Sequence, residues 1–404
     1  MTPRSARNRS RSHRRRSVRA ANAQLLCAAA GVGLGITMPR IPGGPRAPAA
    51  HVVDLLFGAG LGLLGVVALI FSLLFLVLQW VATTFTPRLT LFRDAPIVWR
   101  TFAFAIGLVA FCLTAALAIG DDRDVSVAVP ATAMLLVLVM LWALRTLQLR
   151  AFAAIQLVPA LKSIAARGRA MLGELEVRRD RAPPAQPMPP HRTTISWPDP
   201  PTVLQRLDTD RLLAVAHAAD AVLVLRAAPG ATLSRGMPVA DVHGAVLTAD
   251  SVLTGLVVGN ERGFDQDPLL AFRLLADIAL RALSPAVNDP ATAVQALDEI
   301  GDLLMQVAVA PLMPLRLSDL AGTPRLIVPL PDWDTFLRVS VDDIIFAASS
   351  PMVLRHVREV LERVVGHADP DRRSFLAPRL SWVAEEMQNR FPQVAFTTAA
   401  PDVT

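Results

Sequence analysis

Cysteine is nearly absent from this chain of 404 residues: Cys27 and Cys112 are the only two, and both fall inside apolar runs. A pair so placed offers neither a disulfide framework nor a thiolate metal site, and reads as two small packing residues. No glycine-rich phosphate cradle and no dinucleotide-binding glycine pattern occurs. Ser284 has no histidine nearby in sequence and no nucleophile-elbow context. The acid pairs Asp342 with Asp343 and Asp332 with Asp334 lack a histidine or a spaced third ligand. No catalytic residue, metal or cofactor is therefore expected, and nothing in the sequence argues for an enzyme.

Acids are missing from the first 19 residues, which hold Arg4, Arg7, Arg9, Arg11, Arg14, Arg15, Arg16 and Arg19. Without these eight arginines the formal net charge of +6 turns negative, so the basic balance belongs to one arm and not to a domain surface. Such an arm is expected to be solvated and disordered and to attract anionic lipid, at roughly 1 kcal/mol per arginine near the surface. It has no interleaved aromatics, which excludes nucleic acid as the expected partner.

Hydrophobic residues are plentiful, at 53% with a mean hydropathy of +0.44, more than an ordinary soluble domain carries. Four uncharged runs, residues 20–39, 55–78, 101–120 and 125–144, reach the roughly 20 residues needed to cross a bilayer core. The first, with Asn22 and Gln24, also resembles a signal peptide, but its small-residue run 47–50 lies beyond Arg40 and several prolines, so an uncleaved helix is expected. Lys/Arg content of the arm, the three loops and the segment after the fourth run alternates rich, poor, rich, poor, rich, which places both termini in the cytoplasm. Gly31-x-x-x-Gly35 and Gly58-x-x-x-Gly62 predict close packing of spans one and two. No charged residue or histidine sits in mid-span, which argues against ion-coupled transport.

The predicted fold is an α-helical membrane bundle of four transmembrane helices, N-in/C-in, followed by a cytoplasmic α+β domain with a small barrel-sandwich-like β module and helical hairpins. Its parts are a basic arm (1–19), a transmembrane domain (20–150), a juxtamembrane helix kinked at Pro159 (151–180), a Pro-rich linker (181–201), a β-rich module (202–258) and a mainly helical domain (259–395). Asp267, Asp289 and Ser350 each precede a proline, the signature of a capped helix start. Residues 326–330 and 336–341 read as strands, and 351–365 and 378–389 as closing amphipathic helices.

Two polar sets are candidate sites. Glu261, Arg262, Asp265, Asp267, Arg273, Asp277, Arg281, Asn288 and Asp289 crowd an otherwise apolar stretch, as caps and internal salt bridges or as a subunit interface or vestibule. Arg273, Asp277 and Arg281 fall at i, i+4, i+8, on one helix face. Thr83, Thr84, Thr86, Pro87, Arg88, Arg93 and Asp94 gather between spans two and three, as a positive-inside turn or a pore mouth.

The segment 259–293, GNERGFDQDPLLAFRLLADIALRALSPAVNDPATA, resembles the signature of an uncharacterised bacterial membrane-protein family, domain of unknown function 2254, and residues 71–94 resemble its other signature. The chain departs from that pattern at Gly263, Ala286 and Ala291, where the family has Thr, Gly and Phe, and lacks a glycine near Ser196 and Trp197. The resemblance implies a multi-pass protein of the bacterial inner membrane and supplies no catalytic residue. Three activities follow as expectations: an oligomeric channel-like assembly of identical chains with a cytoplasmic vestibule, a membrane-anchored sensory or interaction module, and an enzyme acting on envelope precursors.

Overall fold

A computed structural model describes residues 11–41, 45–84, 96–120, 124–180 and 187–394. The chain divides into two compact units, Met1–Gln156 and Leu157–Thr404.

The first unit holds helices α1 (Arg11–Thr37), α2 (Ala49–Thr84), α3 (Pro96–Ile119) and α4 (Ala128–Ile155). Three windows in α2, α3 and α4, Ala49–Leu73, Trp99–Ile119 and Ala128–Arg150, are long and apolar enough to cross a membrane. The first expected span is helical within α1 but is not among the three found in the described residues. Strand β1 (Arg46–Pro48) pairs antiparallel with β2 (Asp124–Ser126), so the first and third loops meet.

Spans one and two do not pack through their glycines. Gly31 and Gly35 lie against α3: a Cβ on Gly31 would collide with the Gly107 carbonyl, and one on Gly107 would lie 2.7 Å from the Cys27 carbonyl oxygen. Two glycines facing each other allow this backbone approach, and the partner motif lies on α3. Gly58 and Gly62 have no atom within 4 Å of their would-be Cβ. Instead α2 meets α3 through Gly60, against Cys112, and through the Phe71 and Phe102 rings, 4.9 Å apart.

The second unit opens with α5 (Leu157–Asp180), one residue after α4. The expected kink at Pro159 is a break at Gln156, whose ψ of 128° is extended. The proline ring excludes the carbonyl four residues back, that of Ile155, and α4 ends at that residue. Leu161, Ile164 and Ala165 are buried, so α5 belongs to the core of this unit.

The linker is shorter than expected, because β3 (His191–Ser196) lies within it. Three strands, β4 (Thr202–Leu207), β6 (Thr232–Leu233) and β8 (Leu256–Gly259), form one sheet in the order β6-β4-β8. A second sheet of five joins β3 to β5 (Val222–Leu225), β7 (Pro238–His243), β9 (Leu315–Ser318) and β10 (Pro324–Val328), in the order β3-β7-β5-β10-β9. Only β5 and β10 run parallel in it. The β residues thus extend far past 258, and two sheets with a shared apolar core, including Leu204, Leu223, Leu233 and Leu326, stand where a barrel-sandwich module was expected. Short helices α6 (Thr209–Ala218) and α7 (Ala249–Leu253) connect the strands.

The rest is helical: α8 (Leu270–Leu283), α9 (Pro290–Val309), α10 (Trp333–Leu337), a π turn (Arg338–Asp342), α11 (Asp343–Ala347), α12 (Pro351–His367) and α13 (Pro370–Arg390). Residues 336–341, expected as a strand, are helical. The Asp332 carboxylate accepts the Thr335 amide at 2.8 Å, and Phe336, Leu337, Val341, Ile344 and Ile345, at helical spacing, are all buried. The last helix starts at Pro370, eight residues earlier than expected, and carries Pro378 within it.

Candidate functional site

The loop before α8 is built around one ion pair. Arg262 donates from Nε to Asp267 Oδ2 at 2.6 Å and from Nη2 to Oδ1 at 2.8 Å, and Asp267 is only 2% exposed. Asp267 Oδ1 also accepts the Leu269 amide at 3.1 Å, closing the turn that leads into α8. Burial pushes the Asp267 carboxyl above its ordinary value, and the guanidinium and amide hydrogen bonds pull it back. The turn at Pro229 and Gly230 covers this pair. Gly230 has a φ of +93°, and a Cβ there would press on Arg262 Nη2 at 2.7 Å, so glycine is required on both counts.

Next to it, side-chain amides do the work of a strand. The Leu207 amide donates to Gln266 Oε1 at 2.8 Å, and Gln266 Nε2 donates back to the Leu207 carbonyl at 3.2 Å. Gln205 Nε2 donates to the Glu261 carbonyl at 2.6 Å. The segment between β8 and α8 is therefore fastened to the edge of β4. Glu261 and Asp265 are exposed on it.

On α8, Arg273 reaches Asp277 at 2.9 Å and Asp343 at 3.6 Å. Arg281 is exposed, and its carbonyl accepts the Ser284 hydroxyl at 2.7 Å. The connection to α9 turns through Asn288, whose φ of +48° is tolerated by asparagine better than by most residues. Asp289 caps α9, accepting the Thr292 amide at 3.1 Å and hydroxyl at 2.6 Å, and Pro290 opens the helix. Of the nine residues singled out, Arg262, Asp267, Arg273, Asp277 and Asp289 thus have hydrogen-bond or ion-pair partners within the chain.

Helix α5 is docked on the same hairpin. A Cβ on Gly168 would lie 2.8 Å from the Ala271 Cβ, Arg169 meets Asp302 at 2.6 Å, and Arg167 sits over the Phe264 ring at 5.2 Å from its centroid. Of the second polar set, Thr83 and Thr84 end α2, while Thr86, Pro87, Arg88, Arg93 and Asp94 lie outside the described residues.

Sequence reasoning missed two clusters on the five-stranded sheet. Asp319 lies 2.8 Å from His217 Nδ1 and 3.1 Å from Arg325 Nε, and accepts the Ala321 and Thr323 amides at 3.0 Å each. The His217 hydrogen bond foremost, then the Thr323 amide and Arg325, hold its carboxyl well below the ordinary carboxylate range. Asp241 accepts from Arg226 at 2.6 Å and Thr194 at 2.7 Å; burial raises its carboxyl, these bonds outweigh that, and the net shift is downward. His217 lies 102 residues from Asp319 and Thr194 lies 47 from Asp241, so these pairings leave no local signal.

No solved structure matches this chain. Relatives include an uncharacterised protein of Mycobacterium bovis and two of Mycobacterium tuberculosis, each 33% identical over 136 residues. That stretch covers 33% of this chain and 26% of each relative, so the match spans about a quarter of the relatives' length. The model of the family described as predicted membrane protein, DUF2254, matches residues 21–363, and with the apolar helices and the hairpin now described, the chain belongs to that family.

Proposed function

We propose that this membrane protein is an anchored sensory or interaction module: the apolar helices hold it in the inner membrane with both termini in the cytoplasm, α1 serves as a fourth span, and the second unit takes a ligand or partner. The observation that carries this reading is the placement of α5. It follows the last span after a single residue and is built into the core of the second unit by Gly168 and by the Arg169 pairs with Asp302 and Glu299. Occupancy of the second unit can then act on α5, which the single residue Gln156 joins to the last span. The charges of the α8–α9 hairpin hold that unit together and serve as its scaffold.

A channel-like oligomer is the second reading. The face of α2 with Gly58, Gly62 and Gly65, open within 4 Å of each would-be Cβ, favours it as a surface where identical chains meet. One experiment separates the two. The full-length protein is reconstituted in liposomes under voltage and, in nanodiscs, followed by hydrogen exchange with the dialysable fraction of the host cytoplasm. Silent bilayers and altered exchange along residues 157–180 support the module. Ion conduction with no exchange response contradicts it.

A further inference from the structure

The five-stranded sheet turns one face to the shared apolar core and the other away from it. One row of strand partners crosses it: Thr194, Asp241, Val224, Ile327 and Arg316, on β3, β7, β5, β10 and β9 in turn. Their neighbours Ile195, Ala240, Leu223, Leu326 and Leu315 point the other way, into the core. At one end of the row Asp241 is neutralised by Arg226 and Thr194. At the other end Arg316, half-buried, has no hydrogen-bond or ion-pair partner among the described residues.

Arg316 lines a cleft of about 390 Å³, with Val222 and Ile327 as its apolar floor and Pro324, Arg325 and Gly244 among its walls. That volume lies within the range of small-molecule sites, about 300–1,000 Å³. Arg325 is held there by Asp220 at 2.7 Å and Asp319 at 3.1 Å, so its position is fixed and its charge is offset. Ser318, two residues along β9, does not line the cleft. What the cleft offers is the half-buried Arg316 guanidinium, whose donors have no acceptor among the described residues, and such donors call for acceptor oxygens.

We infer that this cleft binds a small organic oxyanion, a carboxylate or phosphate ester with a short apolar body, whose oxygens meet Arg316 and whose body lies on Val222 and Ile327. The inference rests on the sensory reading of the second unit and names its ligand class. A planar fork with no acid to hold is suited to paired oxygens, and the valine and isoleucine floor favours an alkyl group over a bare inorganic ion.

The test is calorimetric titration of the full-length protein in nanodiscs with monobutyl phosphate, hexanoate and neutral butanol. Saturable binding of at least one anion and none of butanol is expected, with Arg316→Gln weakening it about tenfold or more and Arg316→Lys recovering part of it. Unchanged melting of Arg316→Gln shows that the loss is local. Absence of saturable anion binding to the folded wild type, or equal binding by Arg316→Gln, overturns the inference. If the anion binds but exchange along residues 157–180 does not move, the cleft stands and the sensory reading falls. If that exchange responds to cytoplasm while no probe binds, the cleft falls and the sensory reading stands.

Discussion

In the α8–α9 hairpin Arg262, Arg273 and Asp289 each end on a partner from the same chain, whereas on the outer face of the five-stranded sheet the side chains of Arg316 and Ser318 have no hydrogen-bond or ion-pair partner among the described residues. The hairpin has the denser charge and drew attention in the sequence, yet its charges close turns, cap helices and brace α8. The sheet face has fewer charges, spread over five strands, and places the Arg316 guanidinium in the lining of a cleft. Charge density along the sequence thus marks construction here, while the proposed ligand cleft is carried by a guanidinium left without a partner among the described residues.

The contrast can be broken most forcefully at Asp267. Asp267→Ala leaves the Arg262 guanidinium without its buried counter-charge and the Leu269 amide without its acceptor, and should cost about 3–5 kcal/mol in unfolding free energy by denaturant titration. Gly168→Val follows: the added side chain meets Ala271 and Leu303 and should destabilise by about 1–3 kcal/mol, loosening residues 157–180 in hydrogen exchange. Asp289→Ala removes one helix cap and should lower stability by about 1 kcal/mol, with Asp289→Asn retaining most of it.

Acid sharpens the comparison from the other side. Asp319 has a folded-state carboxyl held below its ordinary value near 3.9, so its contribution is present above about pH 4 and disappears as pH falls through the lowered value. Melting temperatures below about pH 4 should therefore fall more steeply for the wild type than for Asp319→Asn. The smallest effect belongs to Arg316→Gln, which breaks no hydrogen bond or ion pair among the described residues and should stay within about 0.5 kcal/mol of the wild type while weakening anion binding. A large loss of stability there would return the sheet face to the same structural role as the hairpin.

The sequence was legible where the chemistry is local. Asp289 and Ser350 before proline announced α9 and α12, and both carboxylate and hydroxyl cap as expected. Apolar runs announced the three helices long and apolar enough to cross a membrane. Residues 336–341 misled because a short apolar run fits a strand as well as a helix; the decisive evidence was Asp332 three residues before Thr335. Gly31 misled because spacing identifies a small-residue face without naming the helix that meets it. The cleft was invisible, since Gly244, Arg316 and Arg325 come together only through the parallel pairing of β5 with β10 and the return of β9 beside it.

Helix α5 is part of the core of the second unit, as the proposed sensory role requires. Hydrogen exchange of the full-length protein in nanodiscs tests that claim most directly. Amides from Leu161 to Leu172 should exchange as slowly as those of α8 and α9, and Gly168→Val should release them first. Exchange along that stretch as fast as in an isolated helix would contradict it.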